Sequence, residues 1–288
     1  PQILSDAGYR THSAGKLHLG PWVPKAPASE ADRFPESMEF WQQGVVTEFP
    51  EPFCGFQTVD FVGGHTSFIF GEYLTWLKAR GGHPADVLPS KERRLPHGQA
   101  YRMAVPEELH YNRYIADSTI RVIEESASND APPFFCWCSF PDPHAPVAAP
   151  PRYLAMYDPA TIPLPTRRDG EVAELPPVYA EVLAGCLRPN GVNNTSITDD
   201  AWREFIAGTY AMITHVDEEI GRVMAALERS GQTDRTLVIF LSDHGDMMGD
   251  HGLYMKAFYT FEGCIRIPTI IAAPDGLPGQ VRDDLIAH

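Results

Sequence analysis

A polar segment from Ser242 to Lys256 follows directly after an apolar run, Leu237 to Leu241. The apolar run predicts a buried strand, and the first ten residues after Ser242 include three aspartates and two histidines. Placing so many ionisable groups at the end of a buried strand costs free energy unless a ligand binds there. We therefore expect a ligand crevice at the carboxyl end of this strand, as in an open α/β sheet.

Strand-like and helix-like segments alternate along the rest of the chain. The clearest helix is predicted over Asp200 to Ser230, where apolar residues recur at steps of three and four. The remaining predicted elements are strands at Tyr9 to Ala14, Phe134 to Phe140 and Pro268 to Ala273, and helices at Phe68 to Ala79 and Glu107 to Ser126. Loops are predicted over Pro21 to Pro52, His83 to Pro106 and Pro146 to Pro189. This alternation predicts a mostly parallel sheet covered by helices.

Polar clusters follow three of the predicted strands. The clusters are Lys16 with His18, Asp142 with His144, and Asp243 and His244 with Lys256. Because the carboxyl ends of neighbouring parallel strands meet at one edge of a sheet, we expect the clusters to converge on one site. Carboxylate and imidazole groups bind divalent cations, so Asp243 and His244 are the predicted metal ligands. Each residue taken alone also has a plainer interpretation, such as a solvated lysine or a histidine bonded to the backbone.

Composition limits the partners of the chain. Its 288 residues have a formal net charge of −15 and no basic stretch, which excludes nucleic acid and anionic membranes as expected partners. No apolar run is long enough to span a bilayer. The five scattered cysteines lack zinc-site spacing and favour a cytoplasmic over a periplasmic or secreted location. The sequence leaves the oligomeric state open, a homo-oligomer included.

Several segments resemble one family when taken in order along the chain. They are Gly8 to Gly20 with its GKLHLG ending, Cys54 to Gln57, Pro141 to Pro146 with its PDPHAP motif, Tyr210 to Gly221, Ser242 to Lys256, and Phe261 to Pro268. Together they resemble the sulfatases of the alkaline phosphatase superfamily. The histidine after Asp243 makes the chain most similar to choline-sulfatase-like and phosphonate monoester hydrolase-like members. The resemblance implies an alkaline-phosphatase-like α/β fold with a mostly parallel central sheet flanked by helices.

The resemblance also implies a cofactor and its ligands. Asp243 and His244 would hold one divalent metal ion, Ca²⁺ in the first place and Mn²⁺, Zn²⁺ or Mg²⁺ as alternatives. Lys16 and Lys256 would bind the oxygens of the sulfate group. These roles agree with elementary electrostatics, because a cation and two ammonium groups offset the negative charge of a sulfate ester.

Three histidines have implied roles as well. His18 would assist the nucleophile as the base that collapses its hemiacetal. His144, together with Lys256, would stabilise or protonate the departing alcohol oxygen, which an imidazole can do near neutral pH. His65 is a candidate for contact with the alcohol part of the substrate. We expect that substrate to be a small-molecule or saccharide sulfate ester.

One part of the family pattern has no match in the chain. Family members make a formylglycine nucleophile from the first residue of a Cys-x-Pro-x-Arg or Ser-x-Pro-x-Arg motif before the GKLHLG position. None of the five cysteines stands in that context. The acidic pair that completes the metal site and the smaller C-terminal subdomain are also unmatched. We therefore expect residues 1–288 to be a partial sulfatase catalytic domain, incomplete at both ends and inactive by itself.

Three functions remain open from the sequence. The first is a metal-dependent sulfuric ester hydrolase that releases sulfate. The second is a phosphonate monoester hydrolase or phosphodiesterase on the same fold, which the Asp243-His244 pair also fits. The third, motivated by the unmatched nucleophile motif, is a non-catalytic protein that binds a metal ion or an anion.

Overall fold

The computed structural model of the protein describes residues 1–88, 90–188, 193–274 and 279–281. The chain forms two compact units, the first of Pro1–Tyr157 and Gly208–Gly231 and the second of Asp158–Ala207 and Gln232–His288. Among the described residues, every helix is too short or too polar to cross a membrane.

The strands are short and fall into separate sheets. They are β1 (Arg10–Gly15), β2 (Thr58–Gly63), β3 (Phe70–Gly71), β4 (Ala100–Arg102), β5 (Phe134–Ser139), β6 (Val147–Ala149), β7 (Val238–Leu241) and β8 (Thr269–Ala272). The largest sheet of the first unit has the order β3-β2-β1-β5, and β1 pairs parallel with both β2 and β5. Strand β3 pairs antiparallel with β2. Three neighbouring parallel strands therefore end at the same edge.

The helices carry apolar residues toward the cores. They are α1 (Gln2–Asp6), α2 (Met38–Gln42), α3 (Glu72–Ala79), α4 (Pro84–Val87), α5 (Tyr111–Glu125), α6 (Pro151–Leu154), α7 (Pro177–Leu183), α8 (Asp199–Arg229) and α9 (Glu262–Ile265). In the first unit, Leu77 of α3 and Ile115 of α5 are fully buried in one apolar cluster with Ala14 of β1. In the second unit, Val182 of α7 is buried with Leu253 and other apolar residues.

Helix α5 begins beside the edge where the parallel strands end. His110 is its N-cap, and the His110 side chain accepts a hydrogen bond from the backbone N–H of Asn112. That bond satisfies one of the backbone donors that have no partner within the first turn of a helix. The cap fixes the first turn of α5, and with it the side chains of Tyr111 and Asn112.

The predicted α/β fold is confirmed, and several boundaries differ from the sequence expectation. The helix predicted from Phe68 begins only at Glu72, because Gly71 has a φ of 96° and closes the short strand β3. The predicted loop from His83 to Pro106 contains α4 and β4. Strand β2 was not predicted. The predicted loop from Pro146 to Pro189 contains β6, α6 and α7, and its last residue lies outside the described residues.

The prediction that Leu237 to Leu241 is a buried strand is wrong for this chain. Ile239 is 51% exposed and Phe240 is 40% exposed. The physical reason is the pairing of β7, which within the described residues forms an antiparallel ribbon with β8 alone. Strand β5, predicted to be buried on both faces, is likewise an edge strand of its sheet and leaves Trp137 40% exposed.

Candidate active site

The ends of β1, β2 and β5 bring three predicted site residues to one edge of the first unit. Gly15, the last residue of β1, lies opposite Phe61 of β2 and Ser139 of β5. Lys16, His65 and His144 follow these three strands in the sequence. The arrangement agrees with the rule that an open parallel sheet binds its ligands at the carboxyl ends of its strands.

Gly15 makes the approach of β1 to β5 possible. Its φ is +103°, and a Cβ at this position would lie 2.1 Å from the carbonyl oxygen of Ser139. The next residue, Lys16, donates its backbone N–H to the same carbonyl at 2.9 Å. Glycine is therefore required where the GKLHLG segment leaves the sheet.

Lys16 and His18 share an aromatic neighbour. The His18 ring stacks on Trp22 with centroids 4.6 Å apart, and Lys16 Nζ lies 5.8 Å from the Trp22 ring. The Trp22 ring is in turn 5.7 Å from that of His65. Trp22 therefore joins these three side chains into one group, although sequence reasoning did not identify it. It stands in a Pro-rich stretch without any periodic pattern that predicts a contact.

A buried carboxylate holds the loop that contains Lys16 and His18. Glu36 is 1% exposed and accepts hydrogen bonds from the backbone N–H groups of Leu19 and Gly20. Burial raises the pKa of Glu36, although these two bonds act in the opposite direction. The interaction fixes the end of the GKLHLG segment by its backbone.

His144 and His65 form a close ring stack. Their centroids are 3.7 Å apart and the rings are inclined by 20°. His144 Nδ1 lies 2.7 Å from the carbonyl oxygen of Ala145, and a carbonyl only accepts hydrogen bonds. Nδ1 is therefore the protonated nitrogen of a neutral His144 ring, and Nε2 is the nitrogen that exchanges a proton.

The turn that carries His144 is anchored through Asp142. This side chain is 7% exposed, and it accepts hydrogen bonds from Tyr111 Oη at 2.5 Å and Asn112 Nδ2 at 2.8 Å. Burial raises the pKa of Asp142 to about 7, against the lowering effect of both bonds. The two donors belong to the first turn of α5, so α5 and the His144 turn are joined at this point.

In the second unit, Asp243 and His244 lie directly after β7. His244 Nδ1 is 2.7 Å from the carbonyl oxygen of Gly245, so this nitrogen donates and Nε2 keeps a lone pair. A carboxylate oxygen of Asp243 is 3.4 Å from that Nε2. An imidazole whose other nitrogen donates to a carbonyl is the usual arrangement of a metal-bound histidine, so this pair fits a divalent cation.

Lys256 lies against the same histidine. Its Nζ contacts His244 Nε2, and burial is the main cause that lowers the pKa of Lys256. Strand β7 and the segment after it therefore bring all three predicted residues of the second unit together. The convergence of this group with Lys16, His18 and His144 stays a prediction.

A second group of potential metal ligands lies in the interior of the first unit. Among the described residues, His110, Asp142 and His215 have ligand atoms that all lie within 4.8 Å of one another. His110 Nδ1 accepts the N–H of Asn112 at 3.1 Å, so its Nε2 carries the proton and has no lone pair to give a metal. Both oxygens of Asp142 already accept hydrogen bonds. With His110 in this tautomer, only Asp142 and His215 of this group have lone pairs to give a cation.

The comparisons with known proteins decide the family. The sulfatase family model matches residues 1–288. The chain belongs to the sulfatase family. It is 27% identical over 305 residues to an arylsulfatase of Clostridium perfringens, which covers 98% of this chain and 54% of that protein. It is 31% identical over 179 residues to a choline-sulfatase of Rhizobium meliloti, covering 61% of this chain and 34% of that protein.

A solved structure supports the fold of this sulfatase chain. The phosphonate monoester hydrolase of Agrobacterium radiobacter aligns with a TM-score of 0.67 and 26% identity, covering 94% of this chain and 51% of that one. The chain thus spans about half the length of the relatives it matches, 54% of the arylsulfatase for example. The resemblance to sulfatases of the alkaline phosphatase superfamily is confirmed, and membership of this family implies a divalent metal ion. The roles of the individual site residues stay predictions.

Proposed function

We propose that the protein containing this chain is a metal-dependent hydrolase of sulfuric esters that releases sulfate from a small-molecule or saccharide ester. The observation that supports it most is the position of Lys16, His65 and His144. They follow three adjacent parallel strands of a chain that matches the sulfatase family over its full length. A cationic group and two imidazoles at such an edge suit an anionic ester with a poor leaving group.

Lys16 and Lys256 bind the sulfate oxygens in this proposal. Hydrolysis of a sulfate ester increases the negative charge on the oxygen of the departing alcohol, and ammonium groups stabilise charge that develops in the transition state. The Trp22 ring beside Lys16 Nζ limits the positions that the lysine side chain adopts. His18, stacked on the same ring, is the base that serves the nucleophile.

His144 transfers a proton to the departing oxygen in this proposal. Its Nδ1 is held by the Ala145 carbonyl, so the proton leaves from Nε2 of the charged ring. The stack with His65 fixes the ring plane, which keeps Nε2 aimed in one direction. His65 is also the histidine that we place against the alcohol part of the substrate.

Asp243 and His244 would hold the metal ion, which when bound offsets negative charge on the sulfate oxygens. We assign Ca²⁺ on the family resemblance, with Mn²⁺, Zn²⁺ and Mg²⁺ as the alternatives. Mn²⁺ and Zn²⁺ are favoured among these, because an imidazole ligand suits them better than it suits Ca²⁺. The nucleophile in this proposal is a formylglycine, and the motif that would form it has no match in these 288 residues.

The lysine assignment is tested on the complete protein with 4-nitrophenyl sulfate. Lys16→Ala should lower kcat/KM by about 100-fold, the usual effect of removing one charge-stabilising group. Lys25→Ala is the matched control, because Lys25 is an exposed lysine of the following loop and should leave kcat/KM unchanged. Equal effects of the two substitutions would remove Lys16 from the site.

The proton transfer is tested by comparing two esters. His144→Ala should slow phenyl sulfate about 10- to 100-fold more than 4-nitrophenyl sulfate, because the better leaving group needs less protonation. If both esters slow by the same factor, the acid role of His144 is wrong.

A second candidate function is the hydrolysis of phosphonate monoesters. The Asp243-His244 pair is one reason, and the 0.67 TM-score against a phosphonate monoester hydrolase is the other. Both reactions transfer a tetrahedral anionic group to a nucleophile, and the same lysines and histidines serve either. Only a direct comparison of the two ester classes separates them.

A further inference from the structure

Asp142 lies two residues before His144 and does not face the same surroundings. It is 7% exposed, whereas His144 belongs to the ring stack at the edge of the sheet. The Asp142 oxygens accept one bond each from Tyr111 and Asn112, both buried at the start of α5. A carboxyl group whose oxygens are both engaged in the interior is poorly placed to touch a substrate.

The backbone connects Asp142 rigidly to His144. The N–H of His144 donates to the carbonyl of Pro141 at 3.1 Å, which closes a tight turn around Asp142. The His144 ring is bonded through Nδ1 to the next carbonyl, that of Ala145. We therefore expect a displacement of Asp142 to shift the backbone of His144, and with it the His144 ring.

Buried rings pack against the two residues that donate hydrogen bonds to Asp142 and against the start of α5. His110 caps α5 through Asn112, and its ring packs on Tyr111 at a centroid distance of 3.9 Å. His215 of α8 meets the His110 ring edge-on at 4.5 Å and stacks on Tyr153 at 4.6 Å. The start of α5 is thus held by both a helix cap and an aromatic layer.

We propose that Asp142 is a positioning residue for His144, held by Tyr111 and Asn112 so that His144 Nε2 stays aimed at the departing oxygen. The inference rests on the proposed function, since it concerns the proton donor of that reaction. It assigns the buried group of His110, Asp142 and His215 to support of the site rather than to a metal ion. No proton of Asp142 itself takes part in the reaction.

The test is a double-mutant cycle on the complete protein, with phenyl and 4-nitrophenyl esters of whichever class the protein hydrolyses. Asp142→Ala should slow the phenyl ester about 10-fold more than the 4-nitrophenyl ester. Adding Asp142→Ala to His144→Ala should then cost less than about 2-fold further on the phenyl ester, because the two residues act as one unit. Equal losses on both esters, or losses that multiply in the double variant, would overturn the proposal.

A failure of the proposal is distinguishable from a failure of the proposed function. If His144→Ala itself lacks leaving-group selectivity, the acid role of His144 fails. If His144→Ala is selective and Asp142→Ala is not, only the positioning role fails.

A milder variant keeps the test decisive if Asp142→Ala does not fold. Tyr111→Phe removes one hydrogen bond to Asp142 and should show the same selectivity at about 3- to 10-fold. Tyr157→Phe is the matched control, because Tyr157 hydrogen-bonds Thr214 at 2.6 Å elsewhere in the first unit. We expect no selectivity from the control, and equal selectivity in the two tyrosine variants would contradict the proposal.

The exchanged pair Asp142→Asn with Asn112→Asp gives a rescue experiment. In this variant the amide is at position 142 and the carboxylate at position 112, so a hydrogen bond from amide to carboxylate forms again between the two positions. The exchange should recover at least half of the selectivity lost in Asp142→Asn alone. No recovery would contradict a role that depends on this bond.

Discussion

The buried ring of His215 should make the stability of the protein depend on pH. His215 is 1% exposed, and burial is the main reason that its pKa is lowered from 6.5 to about 4. Above pH 6.5 the ring is neutral in both the folded and the unfolded chain, so it adds no pH dependence. Below that pH the unfolded chain takes up a proton that the folded protein takes up only near pH 4.

The sign and size of the effect follow from that difference. As the pH falls from 6.5 to about 4, the free energy of unfolding decreases by about 1.4 kcal/mol for each pH unit. The whole loss is about 3 kcal/mol, a large share of the stability of an ordinary domain. His215→Phe keeps a flat ring against Tyr153 and removes this term.

The assay is urea denaturation of the complete protein and its variants between about pH 7.5 and about pH 3.5. The free energy of unfolding of the parent minus that of His215→Phe should fall steadily below pH 6.5 and level off near pH 4. His97→Phe is the control, because it makes the same substitution at an exposed histidine. A constant difference between parent and His215→Phe across this range would show that folding does not lower the pKa of His215.

Three further outcomes follow from the site and from the turn after β1. Asp243→Asn should lower bound metal and activity together, because an amide replaces a charged ligand. The control is Asp250→Asn, the same change seven residues later, which should keep the metal content measured by elemental analysis. His215→Phe should also keep the metal content, and a loss of metal in that variant would show that the interior histidines bind it. Gly15→Ala should destabilise the protein by about 2 kcal/mol or more in thermal unfolding, because a Cβ would lie 2.1 Å from Ser139 O at a positive φ; an unchanged Tm would contradict the close approach of β1 and β5.

The positions of Lys16 and His144 after neighbouring strand ends could be predicted, because local pattern and chain topology agree there. Lys16 and His144 each follow a predicted strand that ends at a glycine or a proline, and parallel pairing brings those ends together. Asp243 and His244 follow β7, which pairs antiparallel with β8, so their prediction depends on the local pattern alone, a polar segment directly after an apolar run. The predictions for Lys16 and His144 need only the order of strands and the rule that ligands bind at their carboxyl ends.

The supporting residues could not be predicted, because their contacts arise from tertiary packing. His110 lies within the helix predicted over Glu107 to Ser126, and His215 lies within the helix predicted over Asp200 to Ser230. No spacing in the sequence relates the two histidines. Trp22 stands in a Pro-rich stretch where neither helical nor strand periodicity exists. The exposure of Ile239 was missed for a different reason, since an apolar run does not reveal how many strands pair with it.

The central claim is that this sulfatase-family chain forms part of a site for sulfuric esters. Its most direct test is the ratio of kcat/KM for 4-nitrophenyl sulfate to that for a 4-nitrophenyl phosphonate monoester, measured on the complete, metal-loaded protein. We predict a clear preference for the sulfate, and a lower kcat/KM for the sulfate in Lys16→Ala. A clear preference for the phosphonate would contradict the assignment in favour of the second candidate, and no turnover of either ester would favour a protein that only binds metal or anions.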